Sequence, residues 1–204
     1  MPVHAYRTIE SPAEGMYKEK GSKFFAFAFP VQSDSEIREH IASLQRKFFD
    51  ARHHCYAWML GADKKLSRAF DDGEPNHSAG DPILGQIRSK DLTNVLVVVV
   101  RYFGGTKLGV GGLISAYKLA AAEALGKAVI TEREIRKSLT LHYEYPSTPE
   151  VMKLVKDYDL EIQEQVFEQN CVLRAGFKVK NEENLKERLE LLKALGHINR
   201  AEGL

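Results

Sequence analysis

The stretch Arg101-Tyr102-Phe103-Gly104-Gly105-Thr106-Lys107-Leu108-Gly109-Val110-Gly111-Gly112 places two cations beside five glycines. Backbone amides without flanking side chains can approach a phosphate closely, and a helix starting where such a loop ends adds partial positive charge. Lys107 lies inside the loop and Arg101 can reach its edge; Tyr102 and Phe103 can stack on unpaired bases, although aromatic residues at a strand end more often belong to the core. The nucleotide fingerprints fail. Gly104 to Gly109 has P-loop spacing, but Val110-Gly111 stands where Lys-Ser/Thr is required. A dinucleotide fingerprint opened at Gly109 needs glycine where Ile114 stands. The alternative is architectural: the glycines let the following helix pack tightly on its strand.

Two other groups carry reactive side chains. Asp71, Asp72, Glu74 and His77 can ligate a cation or exchange protons, but they follow no calcium-loop order, and a turn whose Asp side chains bond their own backbone is the simpler outcome. Arg52-His53-His54-Cys55 reads as strand. His53 and Cys55 then face one way and His54 the other, so the two imidazoles cannot hold one ion. Cys55 reads as a small buried apolar residue. The expectation is a binding surface made of Arg101, Tyr102, Gly104, Gly105, Lys107 and Gly109, with Asp72, Glu74 and His54 beside it; the alternative for Arg101 is a structural ion pair with Asp72 or Glu74. No catalytic residue, metal or cofactor is expected. One rival is a hydrolase-like small-molecule enzyme using the acidic loop with His54 or His77; another is a protein-interaction module with no nucleic-acid role.

The elements that must position these residues are mostly legible. Lys23 to Val31 predicts a strand. Ser33 and Glu36 form a capping box ahead of a helical stripe of Ile37, Ile41, Leu44 and Phe48. His54 to Leu60 and Arg68 to Phe70 predict paired strands, Asp71 to Asp81 a loop, and Asp81-Pro82 the cap and first turn of a short helix to about Lys90. Val95 to Phe103 lacks alternation, as in a strand buried on both faces. An Ala-rich helix is expected from Leu113 to about Ala128. Thr131 to Lys137 is charged and non-periodic, which predicts a boundary between domains 1–133 and 134–204. Beyond it, Leu139, Leu141, Tyr143 and Tyr145 share one face of a strand, and Thr148-Pro149-Glu150 opens a helix. Strands at about Glu161 to Phe167 and Cys171 to Val179 flank a turn at Gln169-Asn170. Asn181 caps a helix with a Leu185, Leu189 and Leu192 stripe, and His197 to Arg200 can add a last strand, completing a split-βαβ sandwich.

Bulk properties narrow the partners. Over 204 residues the net charge is +1, with +3 on residues 1–133 (18 basic, 15 acidic) and −2 on residues 134–204 (11 basic, 13 acidic). That balance argues against a generic polyanion binder and favours a protein-interaction role over free RNA binding. Cys55 and Cys171 lack CxxC spacing and point to a reducing compartment. Met1 to Glu10 has no apolar core and the longest apolar run, Val95 to Val100, is too short to span a bilayer. A cytoplasmic location is expected.

Five stretches together resemble the Impact/YigZ family: Lys20-Gly21-Ser22-Lys23-Phe24, Asp50-Ala51-Arg52-His53-His54-Cys55-Tyr56-Ala57-Trp58, Asp71-Asp72-Gly73-Glu74-Pro75, Gly80-Asp81-Pro82-Ile83-Leu84, and the run from Val98 through the glycines to Leu113. The chain departs from the family pattern at Asn76-His77-Ser78, where small residues are usual, and at Asp81, where a basic residue is common. The resemblance implies an α/β (α+β) protein whose first domain is similar to the second domain of ribosomal protein S5. It implies a smaller ferredoxin-like C-terminal domain, similar to the C-terminal domain of ribosomal translocases. It also implies regulation of translation, through RNA, the ribosome or a translation-associated protein: eukaryotic relatives regulate translation by binding a protein partner, and bacterial relatives are regarded as nucleic-acid or ribosome binders.

Overall fold

A computed structural model describes residues 4–168 and 170–204. Contacts gather Tyr6–Arg133 into one unit and Glu134–Leu204, with His4 and Ala5, into another. The class is mixed α/β, as expected. The first unit runs β1 (Ala5–Ile9), β2 (Ala13–Glu19), β3 (Ser22–Pro30), α1 (Asp34–Lys47), β4 (His53–Leu60), β5 (Leu66–Phe70), α2 (Gly80–Ser89), β6 (Val95–Tyr102), α3 (Gly109–Lys127) and β7 (Ile130–Glu134).

Strands β2-β3-β6-β4-β5 form one sheet in that order, every neighbouring pair antiparallel, and β1 pairs with β7 separately. The central strand β6 is buried on both faces because helices cover both. Val95, Val97 and Val99 join the core beneath α2 and α3, whereas Leu96, Val98 and Val100 join Phe27, Ile37 and Leu44 beneath α1. Each such buried aliphatic side chain contributes about 1.5–3 kcal/mol relative to exposure. α1 starts where the capping box put it: Ser33 Oγ accepts from Glu36 N at 3.3 Å. The small face of α3 (Ala116, Ala120, Ala121 and Ala124) is fully buried.

Three boundaries differ from the sequence expectation. α3 begins at Gly109, so Gly109, Gly111 and Gly112 belong to its first turn and the loop is only Phe103 to Leu108. α2 begins at Gly80 with Ala79 in the cap position, so Asp81 is not the cap. Within Thr131 to Lys137, the first residues belong to β7, and Ile135 N donates to His4 O at 2.8 Å. Strand pairing has absorbed a charged stretch that has no periodicity of its own.

The second unit runs β8 (Arg136–Glu144), α4 (Thr148–Asp157), β9 (Glu161–Val166), β10 (Asn170–Lys178), α5 (Glu182–Ala194) and β11 (Arg200–Glu202). Its antiparallel sheet has the order β11-β8-β10-β9, that of a ferredoxin-like sandwich. Leu139, Leu141 and Tyr143 pack with Leu154, Leu173, Phe177, Leu185 and Leu189 in its core. Tyr145 does not follow them inward; it lies exposed in the single turn Tyr145–Ser147 that precedes α4. The last strand falls at Arg200–Glu202, after the left-handed Gly196 has closed α5. Asn170 opens β10, and the other expected turn residue, Gln169, lies outside the described residues.

With separate cores in the two units, a fragment comprising residues 1–133 should fold on its own. Circular dichroism and a cooperative denaturant transition check this; a non-cooperative fragment contradicts it.

Candidate binding surface and the buried ion pair beneath it

The antiparallel register sets Arg101, near the end of β6, beside Phe24 of β3 and His53 of β4. Its side chain points to the α2/α3 face, under the loop that follows β5. There Arg101 Nη1 donates to Glu74 Oε1 at 2.5 Å, and the Tyr117 hydroxyl of α3 donates to the same oxygen at 2.7 Å. Arg101 is 6% exposed and Glu74 8%. The guanidinium lies over the rings of Phe24 and Phe103, 5.5 and 5.7 Å from their centroids. The Cys55 thiol bonds Asp71 O at 3.0 Å and the Tyr117 hydroxyl at 3.3 Å. Burial pushes both the Cys55 thiol and the Tyr117 phenol far up, so both keep their protons at neutral pH and Cys55 is no thiolate nucleophile. Of the expected surface residues, Arg101 and Glu74 therefore face inward. The reason is that a buried guanidinium needs a counter-charge, and Glu74 supplies it.

The remaining acids of the loop are each committed to backbone. Asp71 Oδ1 accepts from Ala79 N and Gly80 N at 3.0 and 2.8 Å, and Oδ2 from His77 N at 2.9 Å. It thereby caps α2 from eight residues upstream. Burial raises the Asp71 carboxyl, but the Gly80, His77 and Ala79 amides together hold it below its ordinary value. Asp72 Oδ2 accepts from His54 N at 2.6 Å, and Asp72 O from His53 Nδ1 at 2.8 Å. The His54 ring is buried, its Nδ1 4.0 Å from Asp72 Oδ2, and its Nε2 has no hydrogen-bond partner among the described residues. His77 is exposed and pairs with Asp81 Oδ2 at 2.6 Å. His54 and His77 thus differ in both burial and side-chain partners. Among the described residues no group of three His, Cys, Asp or Glu side chains is placed to hold a metal ion.

What remains at the surface is the loop from Phe103 to Leu108 and the start of α3. Gly104, Gly105, Thr106 and Lys107 are exposed. Gly104 is required by packing, since a Cβ there would lie 1.9 Å from the carbonyl carbon of Gly21 in the β2–β3 hairpin turn. Gly111 has no such requirement: it lies inside α3, and a Cβ added to it meets nothing within 4 Å. The first turn of α3 carries no acid and no side-chain cap, which leaves its amide end positive.

Beside this loop, Gly21, Lys23, Phe25, Phe48, Tyr102 and Phe103 line an open cavity of about 470 Å³. Tyr102 is fixed there by its hydroxyl, which donates to Asp50 Oδ1 at 2.6 Å. Tyr102 and Phe103 were singled out in the sequence, but Lys23, Phe25 and Phe48 were not, because strand and helix periodicity assigned both phenylalanines to the core. Two adjacent phenylalanines, Phe48-Phe49, ending an amphipathic helix were the one local sign that an aromatic ring is held at a surface there.

The Impact N-terminal domain family model matches residues 20–125. An IMPACT family member of Haemophilus influenzae is 34% identical over 83% of this chain and 84% of its own length. IMPACT family member YvyE of Bacillus subtilis is 33% identical over 70% of this chain and 66% of its own length. A Protein IMPACT homolog of Saccharomyces cerevisiae is 35% identical over 45% of this chain and 36% of its own. A crystal structure of a hypothetical protein superposes with a TM-score of 0.78 at 26% identity, covering 100% of this chain and 98% of that one.

Two predictions follow from the site chemistry. Arg101→Met strands the Glu74 carboxylate in the core and should cost about 3–5 kcal/mol, whereas Lys107→Ala should change stability by less than about 0.5 kcal/mol; chemical denaturation measures both. The second concerns pH. Burial holds the His54 imidazole below the ordinary value of 6.5, against the opposing pull of Asp72. The unfolded chain therefore takes up the proton first, so the stability linked to His54 is complete above pH 6.5 and is lost as pH falls through the folded value. His54→Gln should flatten the decline in denaturation midpoint between pH 8 and pH 5; an unchanged decline contradicts the assignment.

Proposed function

This chain belongs to the IMPACT family, and on that premise we propose that it is a translation-associated binding protein whose contact surface is the glycine loop and the first turn of α3. The translational setting comes from the family, whose eukaryotic members the resemblance describes as translational regulators. The residues in contact are the exposed ones, Gly104, Gly105, Lys107, Gly109 and Gly111. Arg101 and Glu74 lie buried beneath that surface, His54 lies on the α1 face of the sheet with Val100, and the reading does not need any of them to touch a partner.

The observation that carries this reading is Gly111. Glycine in a helix is less favourable than alanine by up to about 1 kcal/mol. At Gly111 the backbone is helical and the space around the missing Cβ is empty. Packing offers no compensation there, and unlike Gly85 and Gly126, which also have free space around them, Gly111 lies in the first turn of α3, where a missing side chain leaves the helix amides open to a group outside the chain. Lys107 and the uncapped amides of α3 suit an anionic group, a phosphate or a carboxylate on the partner. The same geometry disfavours the enzymatic rival. Cys55 is protonated and enclosed, Asp71 and Asp72 are held by backbone amides, and the two histidines of interest lie apart in exposure and partners.

Gly111→Ala separates this function from folding, because the two effects have opposite signs. The variant should raise the thermal midpoint and yet lower the fraction of protein that co-sediments with ribosomal particles of cell extract several-fold, as should Lys107→Ala. A parent chain that stays at the top of the gradient, or a Gly111→Ala chain that sediments like its parent, contradicts the proposal.

A further inference from the structure

The aromatic cavity beside the loop has features that neither the buried ion pair nor the helix end explains. We infer that it is a binding groove for unpaired nucleotides of single-stranded RNA, with bases stacked on its rings and phosphates held by the lysines around it. This inference rests on the surface reading above and adds to it the chemical class of the ligand.

The walls are aromatic and held in fixed orientations. Phe25 and Phe48 lie nearly parallel, 18° apart at 6.1 Å, and Tyr102 stands edge-on to Phe25 at 88°. The Tyr102–Asp50 hydrogen bond and the Arg101 guanidinium over Phe103 fix the other two rings. Phe103 is nonetheless 56% exposed. Rings already oriented lose little freedom when a base stacks on them, and stacking accepts any base because every base has a π-face. At about 470 Å³ the cavity is in the size range of small-ligand sites, suited to one or two bases. A duplex keeps its base faces hidden and offers nothing to such a wall.

Charge points to the same ligand. No residue lining the cavity is acidic, and Lys23 is part of the lining. The Lys47 ammonium lies 5.2 Å from the Phe48 ring centroid. Lys20 occupies the hairpin turn beside Gly21, where both residues have positive φ (45° and 80°), and Gly104 seats that turn against the loop carrying Lys107. Four exposed lysines thus flank one aromatic wall in a unit whose net charge is only +3. The cationic character is local, which a bulk count hides. Asp50, the acid at the edge, is occupied by the Tyr102 hydroxyl.

The test uses the purified full-length chain and a fluorescent twelve-nucleotide RNA carrying 2-aminopurine, titrated between 50 and 200 mM salt. The RNA should bind, the 2-aminopurine emission should be quenched by stacking, and a duplex of equal length should bind at least about tenfold more weakly. Phe103→Ala should weaken binding about tenfold and Phe103→Trp should restore it. Lys23→Ala should reduce the salt slope by about 0.7, the value for one phosphate contact on a single strand. Both residues are exposed, and circular dichroism of the variants should match the parent. Equal affinity for duplex, or a Phe103→Ala chain that binds like the parent, overturns the inference. So does binding of a polyglutamate peptide at the groove when RNA does not bind, which would assign it to an acidic protein segment. If RNA fails to bind while ribosomal co-sedimentation still depends on Lys107 and Gly111, the groove assignment falls and the surface reading stands. If RNA binds through Phe103 while co-sedimentation ignores Gly111, the groove assignment stands and the surface reading falls.

Discussion

A guanidinium taken out of water must find a counter-charge, and in this chain Arg101 finds Glu74. Much of the first unit is organised around that pair. Removing one partner of a buried ion pair is far more costly than the pair is worth in itself, because the remaining charge is left desolvated. The pair therefore acts as a geometric constraint. It ties the loop after β5 to the end of β6 and, through the Tyr117 hydroxyl on the same carboxylate oxygen, to α3. With the loop held, Asp71 reaches the amides that start α2, and Asp72 reaches the backbone of His54. Residues that look like a reactive cluster in one dimension are the fastening of three elements in three.

The consequence is a division of labour around a single strand end. Enclosed at the sheet end are charged and hydrogen-bonding groups, Arg101 on the α2/α3 face and His54 on the α1 face; among the described residues, Arg101 Nε and His54 Nε2 have no hydrogen-bond partner. Exposed around it are Gly111 and Lys107 at the start of α3, and Phe103 with the half-buried ring of Tyr102 at the aromatic cavity. The cation–π contact of Arg101 with Phe103 joins the two sets. One face of the guanidinium is used on structure, and its neighbouring ring is held ready at the surface. Rigidity of this kind lowers the ordering cost of binding, which is why buried support and exposed contact residues occur together.

The second unit offers a contrast. The sheet of a ferredoxin-like sandwich has one face covered by helices and one open. Here the open side is laced with surface ion pairs, Arg174 with Glu164 at 2.9 Å and Lys178 with Glu134 and Asp159 at 2.9 Å each. Such pairs add little stability, but they neutralise the cations a polyanion would use, and the sheet strands place no aromatic side chain among them. The exposed Tyr145 and Phe167 meet edge to face beyond the strands.

How much of this was legible beforehand depends on the range of the forces involved. Ser33 capping α1, the Leu185, Leu189 and Leu192 stripe, the doubly buried valines of β6 and the order of elements in the second unit all follow from interactions within a few residues, or from a period of two or 3.6. Strand parity even gives Arg101 the same side as Val97 and Val99. The fate of Arg101 was another matter. Whether it is solvated or paired depends on which acid the chain returns to that spot, and Glu74, 27 residues earlier, gets there only through a loop containing the left-handed residues Asp72, Gly73 and His77. The aromatic wall is likewise assembled from three places, β3, the end of α1 and the end of β6, each of which reads locally as ordinary core. The start of α3 inside the glycine run went unread because glycine carries no helix signal. Sequence alone determined most of the strands and helices, though not β1, β2 or β7, and that one strand end was rich in cations and glycine. Only the tertiary structure decided which of those charges face water, because desolvation and pairing are properties of neighbours distant in the chain.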